Sequence, residues 1–197
     1  DNVIDSIVDI VNKDGFKSVL LLGGIGVGKS ISIREIANEM NINFICFDMS
    51  LYSNVYSINN IYNGEDSIYN KMKDNSIILF DNIEKANKSV VDIIMNIIDC
   101  RKIKDKNLLN SIIFLSATNN IKYGIGFSKN INLVKYDDKK VIDAVDYVIN
   151  FNSIDDEAIG KFIEYNNIKD FDYTHCDYIN YGFRGVKIAM KNKDLIK

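Results

Sequence analysis

The chain has 197 residues, 47% of them hydrophobic and 26% charged, which argues against intrinsic disorder and for one domain with an apolar core. A net charge of −3 with scattered lysines argues against a broad nucleic-acid surface. No apolar run approaches the roughly 18 residues of a membrane span, and the first residues show no signal-peptide pattern, so a soluble protein is expected.

Alternating apolar segments predict an α/β domain. Helical spacing from Ile4 to Val11 precedes Gly15 and a first strand. Strands are predicted at residues 18–22, 43–47, 77–80, 112–115 and 147–151, and helices around residues 33–40, 67–73 and 89–98. This order implies a five-stranded parallel sheet between helices, with ligands at the carboxyl ends of the strands. From Ser153 a capping-box pattern and an apolar helical stripe predict a small helical lid. We expect a core over residues 1–152 and a lid over residues 153–197.

A phosphate-binding P-loop follows the first strand directly. The motif GxxxxGK[ST] is matched by Gly23, Gly24, Ile25, Gly26, Val27, Gly28, Lys29 and Ser30. The glycines let backbone N–H groups surround phosphates, Lys29 reaches the terminal phosphates, and the Ser30 hydroxyl is a magnesium ligand. The sequence therefore predicts binding of ATP or ADP with Mg²⁺.

Polar side chains end two later strands. Asp81 closes the apolar strand at residues 77–80, as a Walker B aspartate that holds magnesium through water would. Asn119 follows the next strand, where an amide can sense the γ-phosphate and orient water, and Thr118 is the alternative. A turn residue is the plain structural alternative for Asn119.

These motifs resemble an AAA+ P-loop NTPase, most closely the second ATPase module of the Clp unfoldases of the ClpC and ClpA type. The similarity covers residues 47–50, the Walker B stretch 81–86, Asn119 as sensor 1, and residues 182–184 as sensor 2 of the lid. It implies hexameric rings of Clp subunits that bind ATP at their interfaces and draw protein substrates through a pore. By the same resemblance Arg184 contacts the γ-phosphate, unless it is merely a surface charge at a helix start.

A tripeptide shortly after Asn119 resembles the loop by which Clp unfoldases dock on a ClpP-type peptidase. Its residues are Ile125, Gly126 and Phe127. An exposed apolar tripeptide suits insertion into a partner's hydrophobic pocket. The alternative is a loop that packs on its own core.

The hydrolytic positions of the family pattern are changed. Asn82 stands where the family has a catalytic glutamate, and an amide cannot take up a proton from water. Glu84 is the less favoured substitute, because it lies on a turn or new helix. Ala144 occupies the arginine-finger position, and Arg101 would need a different geometry to replace that finger.

The segment at residues 55–64 is shorter than the family's pore loop and lacks Gly-Tyr-Val-Gly, with Tyr62 as a possible remnant of a gripping aromatic. We expect an ATP-binding Clp-type chaperone or protease-regulatory module with impaired hydrolysis. The alternatives are a degenerate ATP-binding subunit of a mixed ring, a fully active unfoldase and, least favoured, a DNA loader or helicase.

Cellular location is constrained only by composition. Cys46, Cys100 and Cys176 are far apart without CxxC spacing, which predicts reduced thiols in a reducing compartment, and His175 beside Cys176 does not indicate a catalytic dyad. The absence of proline and the abundance of Asn, Ile, Lys and Tyr indicate AT-rich drift. Together with the ClpC likeness, this fits a relict plastid (apicoplast-type), with an AT-rich bacterium or virus as the alternative.

Overall fold

The computed structural model describes residues 2–118, 138–165 and 181–188. Helix α1 (Asn2–Val11) precedes strand β1 (Lys17–Gly23), and the P-loop connects β1 to α2 (Lys29–Glu39). The later elements are β2 (Asn43–Asp48), α3 (Ile58–Tyr62), α4 (Ile68–Lys71), β3 (Ser76–Asp81), α5 (Lys88–Cys100), β4 (Lys102–Ile103), β5 (Lys106–Asn107), β6 (Ile112–Thr118), α6 (Asp138–Ala144), β7 (Tyr147–Asn150) and α7 (Asp156–Tyr165). Short 3₁₀ turns at Met49–Tyr52, Val55–Ser57 and Ile83–Lys85 lie between them.

Five strands form one parallel sheet in the order β2-β3-β6-β1-β7. Strands β1, β3 and β6 are interior and almost wholly buried, which is why their sequences are continuous apolar runs rather than alternating ones. The edge strand β2 is more exposed. The predicted five-stranded parallel α/β sheet is therefore confirmed.

Two apolar cores cover the two faces of the sheet. Alternate strand residues point to opposite faces, so Leu20 and Ile78 belong to one core while Leu21 and Ile77 belong to the other. The first core is closed mainly by α5, and the second by α1 and α2. The fully buried Phe114 lies in the second core.

The carboxyl ends of the central strands meet at one edge of the sheet. Gly23 pairs with Thr118 at the ends of β1 and β6, and Asp48 pairs with Asp81 at the ends of β2 and β3. Because all strands run parallel, this register brings the start of the P-loop, Asp81 and Thr118 to the same edge. Of the residues predicted near those strand ends, Gly23, Asp81 and Thr118 lie at this edge.

Local details differ from the sequence-based expectation. The helix expected around residues 67–73 is a single turn, α4, because Met72 is already extended, with φ −65° and ψ 133°. The β4–β5 hairpin was not predicted, since each of its strands has only two residues. Within the three described ranges, no helix combines the length and apolar character that crossing a membrane requires.

Candidate functional site

The P-loop runs from the end of β1 to the first turn of α2. Gly26 and Gly28 have φ of +73° and +103°, a backbone region that favours glycine. Gly28 is the N-cap of α2 and offers no side-chain hydrogen bond to the first helical turn. The first-turn N–H groups therefore have no side-chain cap, which together with the helix dipole suits an anionic phosphate.

Lys29 is bound to the loop that it follows. Its Nζ donates hydrogen bonds of 2.8 Å to the carbonyl oxygens of both Gly23 and Gly24, and only 7% of the residue is exposed. Burial lowers the pKa of Lys29, while the negative charges of Glu84 and, more weakly, Asp81 act in the opposite direction. The ammonium has three donors, so one remains for a ligand beyond the two carbonyls.

Three polar residues lie together where β2 and β3 end. Asn82 has a left-handed backbone with φ +58°, and its N–H donates to Asp81 Oδ1 at 3.1 Å. The Asn82 side-chain Nδ2 donates to Asp48 Oδ1 at 3.3 Å. The Asn82 side chain, for which the sequence resemblance implies a glutamate position, thus bonds to the neighbouring strand end.

Asp48 gains further stabilisation of its charged form. Partial burial raises the pKa of its carboxyl, but hydrogen bonds from Ser50 and Asn82 and the charge of Lys85 outweigh that effect and lower the pKa overall. Asp48 Oδ1 also accepts the Ser50 N–H at 3.0 Å and so caps the turn Met49–Tyr52. Asp48 is therefore a charged support for Asn82.

Glu84 is the site residue whose role the sequence pattern understates. It lies in the turn Ile83–Lys85 and is half-buried. Its Oε2 is buried without a hydrogen-bond partner in the described part of the chain. Its charge acts on Lys29 more strongly than that of Asp81. Glu84 lies two positions after the expected catalytic position, and nothing in the local sequence predicts that its side-chain oxygen is buried.

Residues 181–188 contact the P-loop directly. The N–H of Phe183 donates to the Gly26 carbonyl at 3.2 Å, and Gly182 has φ +56°. The ring of Phe183 lies 4.9 Å from that of Phe162 in α7. The Arg184 side chain is exposed on this segment, beside the loop.

The structure describes some of the other residues predicted for the site and leaves the rest outside the described ranges. Ser30 is half-buried in the first turn of α2, and Thr118 ends β6 opposite Gly23. Ala144 ends α6 and packs partly buried against the first core, whereas the Arg101 guanidinium lies 5.6 Å from the Phe16 ring. Asn119, the tripeptide Ile125, Gly126 and Phe127, and the pair His175 and Cys176 lie outside the described residues.

The shortened segment after β2 exposes a different aromatic from the predicted one. Tyr62 packs partly buried against the first core, with Lys104 Nζ at 4.6 Å from its ring centroid. Tyr56 is 82% exposed, and Leu51 is 72% exposed in the preceding turn. The accessible apolar surface of this segment therefore centres on Tyr56 and Leu51 rather than Tyr62.

The donor set fits a nucleotide with magnesium. A serine hydroxyl and an aspartate carboxylate are the hard oxygen ligands that Mg²⁺ takes when substrate phosphates and water complete its shell. Lys29, the glycine backbone and the start of α2 offer positive charge and N–H donors to phosphates. Ser30 and Asp81 are the residues that would hold the metal.

The chain resembles known proteins over most of its length. The chaperone protein ClpB of Mycoplasma genitalium is 23% identical over 83% of this chain, which spans 27% of that relative. The Clp protease ATP-binding subunit ClpL of Staphylococcus aureus is 27% identical over 74% of the chain and 24% of the relative. The chain thus spans about a quarter of the length of these curated relatives.

Solved structures share the fold. A closed-state reconstruction of Hsp104 with ATPγS and FITC casein aligns with a TM-score of 0.65 at 18% identity, over 98% of this chain and 42% of that one. The Thermotoga maritima RuvB Holliday junction branch migration motor aligns at 0.55 and 14% identity, over 82% and 48%. A family model described as AAA domain (Cdc48 subfamily) matches residues 14–146. The chain belongs to this AAA domain family.

Proposed function

We propose that the chain is the ATP-binding AAA+ module of a Clp-type protein unfoldase or chaperone. The observation that carries the proposal is the phosphate cradle: a lysine held against the loop carbonyls, an uncapped helix start and a strand-end aspartate at one edge of the sheet. The family match and the ClpB and ClpL relatives support the Clp type. Because the chain spans only part of those relatives, the activity of the whole protein belongs to this proposal.

Each residue has a defined role in the proposed site. Residues 23–28 surround the phosphates with backbone N–H groups, and Lys29 neutralises their charge. Ser30 and Asp81 hold Mg²⁺, which would draw charge from the phosphate oxygens when it is bound. Asn119, the residue after β6 in the sequence, senses the γ-phosphate, and Arg184 does so from the lid. The core extends over residues 1–152 and the lid over residues 153–197.

Hydrolysis at this site is impaired. Asn82 has no carboxylate, and its amide is engaged with Asp48. Ala144 has only a methyl group at the position where an arginine would stabilise the transition state in a neighbouring subunit. An arginine of this kind raises the rate of hydrolysis by about 10³-fold or more. Every residue that only binds nucleotide is retained. Tight binding with slow turnover follows from this combination.

Turnover measurements test the hydrolytic part. We expect slow phosphate release from MgATP by the purified chain, and at least a tenfold increase in Asn82→Glu, because a carboxylate at this position is a proton acceptor. Glutamate at φ +58° costs about 1 kcal/mol, so thermal unfolding of the variant must be followed in parallel. Brisk turnover in the parent chain that Asn82→Ala abolishes would contradict impaired hydrolysis.

A ring subunit that binds ATP without hydrolysing it is the second candidate, favoured by the same Asn82 and Ala144. Mixing this chain with a partner subunit that hydrolyses ATP distinguishes the two candidates. If this chain completes a mixed ring, the rate of ATP hydrolysis per partner subunit rises. An AAA+ DNA motor has less support, since the RuvB likeness concerns the fold alone and the net charge is −3.

Finer assignments extend the proposal. The proposed partners are other Clp subunits, protein substrates and a ClpP-type peptidase, which docks on Ile125, Gly126 and Phe127. Nucleic acids and membranes are not among the proposed partners. Peptidase binding that Phe127→Ala leaves unchanged would contradict the docking role. We also propose that the chain is the second ATPase module of a ClpC or ClpA type protein and that this protein lies in a plastid of the apicoplast type. Finding the gene on a bacterial chromosome would contradict the plastid location.

A further inference from the structure

A cavity of about 430 Å³ lies at the amino ends of the strands, opposite the edge that carries the P-loop. It is lined by the first residues of β3 and β6, by Lys17 at the start of β1, and by the end of α1 with the turn that follows it. Small-molecule sites in proteins occupy roughly 300–1,000 Å³. The cavity therefore has the size of a small-molecule site, in a part of the fold that the proposed ATP site does not use.

The lining of the cavity combines apolar and polar residues. Val11, Ile77 and Ile112 are buried members of the second core, and Ile42 packs partly buried against that core. The exposed part of the lining is polar and includes Lys13, Asp14, Asn75 and Asn110. A ligand with an aliphatic stem and a polar head matches this division, because the stem would cover apolar surface that water otherwise contacts.

Lys17 carries a charge into the buried part of the lining. Only 5% of the residue is exposed. Its Nζ donates to the Lys13 carbonyl and, at 2.9 Å, to the Gly15 carbonyl. Both acceptors belong to residues of the lining, so the Lys17 ammonium lies at the cavity. An ammonium has three N–H donors, and one of them therefore remains for a further acceptor.

The charge of Lys17 has no bonded counter-ion. Within the three described ranges, Lys17 forms no ion pair with a carboxylate. Burial lowers the pKa of Lys17, while the more weakly acting charge of Asp14 raises it and that of Lys13 lowers it further. A buried charge without a paired opposite charge costs free energy, and a bound anion would offset that cost.

Asp14 limits the charge that such an anion can carry. It is exposed and lines the same cavity, so it would repel a second negative charge. We propose that the cavity binds a small aliphatic monocarboxylate, whose carboxylate accepts a hydrogen bond from Lys17 Nζ and whose stem contacts Ile77 and Ile112. The proposal is independent of nucleotide binding, because the two sites lie at opposite ends of the strands.

Hexanoate and its neutral amide, hexanamide, test the site without any change to the protein. Two-dimensional NMR of the purified, isotope-labelled chain follows the backbone N–H signals during each titration. We expect saturable shifts at Gly15, Asn75 and Asn110, with a Kd of about 1 mM for a ligand of this size. Hexanamide offers no negative charge to Lys17 and should bind about tenfold more weakly.

Three results would overturn the proposal. The first is equal affinity for hexanoate and hexanamide, and the second is a set of shifts confined to the P-loop at residues 23–30. The third is inorganic phosphate that binds at Gly15, Asn75 and Asn110 as tightly as hexanoate, because the aliphatic stem would then contribute nothing.

Variants of the two charged residues test the same site from the side of the protein. Lys17→Met keeps an unbranched side chain and removes the charge, so we expect hexanoate to bind about tenfold more weakly. Asp14→Asn removes a like charge and should strengthen binding by about twofold. Lys102→Met, at an exposed position on β4 outside the lining, is the matched control and should bind hexanoate as the parent does.

Parental affinity for hexanoate in Lys17→Met would contradict the role of Lys17. Thermal unfolding verifies that each variant is folded. If Lys17→Met does not fold, the comparison of hexanoate with hexanamide in the parent chain still decides the proposal.

Discussion

Two glycines lie where the P-loop and the segment at residues 181–188 pack closely together. A Cβ on Gly182 would lie 2.6 Å from the Ile25 carbonyl oxygen and 2.8 Å from the Gly26 carbonyl, and a Cβ on Gly26 would meet the Tyr181 carbonyl oxygen. Side chains at these positions would meet backbone atoms, which have little room to shift. This contact explains why glycine precedes Phe183 and Arg184, at the place where residues 181–188 meet the P-loop.

The variant Gly182→Ala tests that contact. It adds a clash to the cost of alanine at φ +56°, so we expect the segment to detach more often and the Phe183 N–H to exchange with solvent about tenfold faster. Hydrogen exchange read by mass spectrometry or NMR measures this. Gly64→Ala is the matched control, because Gly64 has φ +93° with no atom within 4 Å of its would-be Cβ. Equal exchange at Phe183 in both variants would refute the contact.

The sequence predicts the positions of Lys29 and Asp81 better than the contacts of Asn82 and Glu84. Lys29 and Asp81 follow from motif spacing, because glycine loops and strand ends leave a clear local signature. The bond between Asn82 and Asp48 depends on strand register, which joins residues far apart in the chain. The Glu84 Oε2 becomes buried only in the folded chain, and no local pattern encodes that burial.

Helix α5 begins with a side-chain cap that also joins it to the turn after β2. The Asn87 side-chain oxygen accepts the Ser89 N–H at 3.0 Å, and the Asn87 N–H donates to the Tyr52 carbonyl at 2.8 Å. Helix α5 in turn buries Ile94 and Ile98 against the sheet. Asn87 therefore links the start of α5 to the turn Met49–Tyr52.

Removal of this cap has a predictable cost. Asn87→Ala leaves the Ser89 N–H without its acceptor and should lower the free energy of unfolding by about 1 kcal/mol. Asn87→Asp keeps the acceptor and adds negative charge at a helix start, so it should retain the stability of the parent. Urea denaturation compares the three proteins. A midpoint for Asn87→Ala equal to that of the parent would show that the cap contributes nothing.

The strands were predictable because each is an apolar run bounded by polar or turn residues. The β4–β5 hairpin was not, because each strand has only two residues and several of its contacts are lysines over aromatic rings of residues far away in the chain. Lys106 Nζ lies 4.4 Å from the Tyr69 ring centroid and donates to the Tyr69 carbonyl at 2.6 Å. Lys104 lies over both Tyr62 and Tyr69. Contacts of this kind arise only once the chain has folded.

Across the whole molecule, three separate stretches of chain converge on the nucleotide loop. β1 and α2 supply the loop itself, β3 and its following turn supply Asp81 and Glu84, and residues 181–188 contact Gly26. A ligand that binds to this loop in the folded state would therefore raise the free energy of unfolding of the whole fold. At a concentration of 100 times Kd, such a ligand stabilises the folded state by about 2.7 kcal/mol.

Calorimetric titration with MgATP tests the central claim that this site binds nucleotide through Lys29. We predict one saturable site in the parent chain and loss of at least tenfold in affinity in Lys29→Ala, because the buried ammonium is held against the loop that would surround the phosphates. Lys161→Ala, which alters an exposed ion pair with Glu157, should bind as the parent does. Thermal unfolding without nucleotide verifies that each variant is folded. No binding by the parent, or equal affinity in Lys29→Ala, would contradict the account.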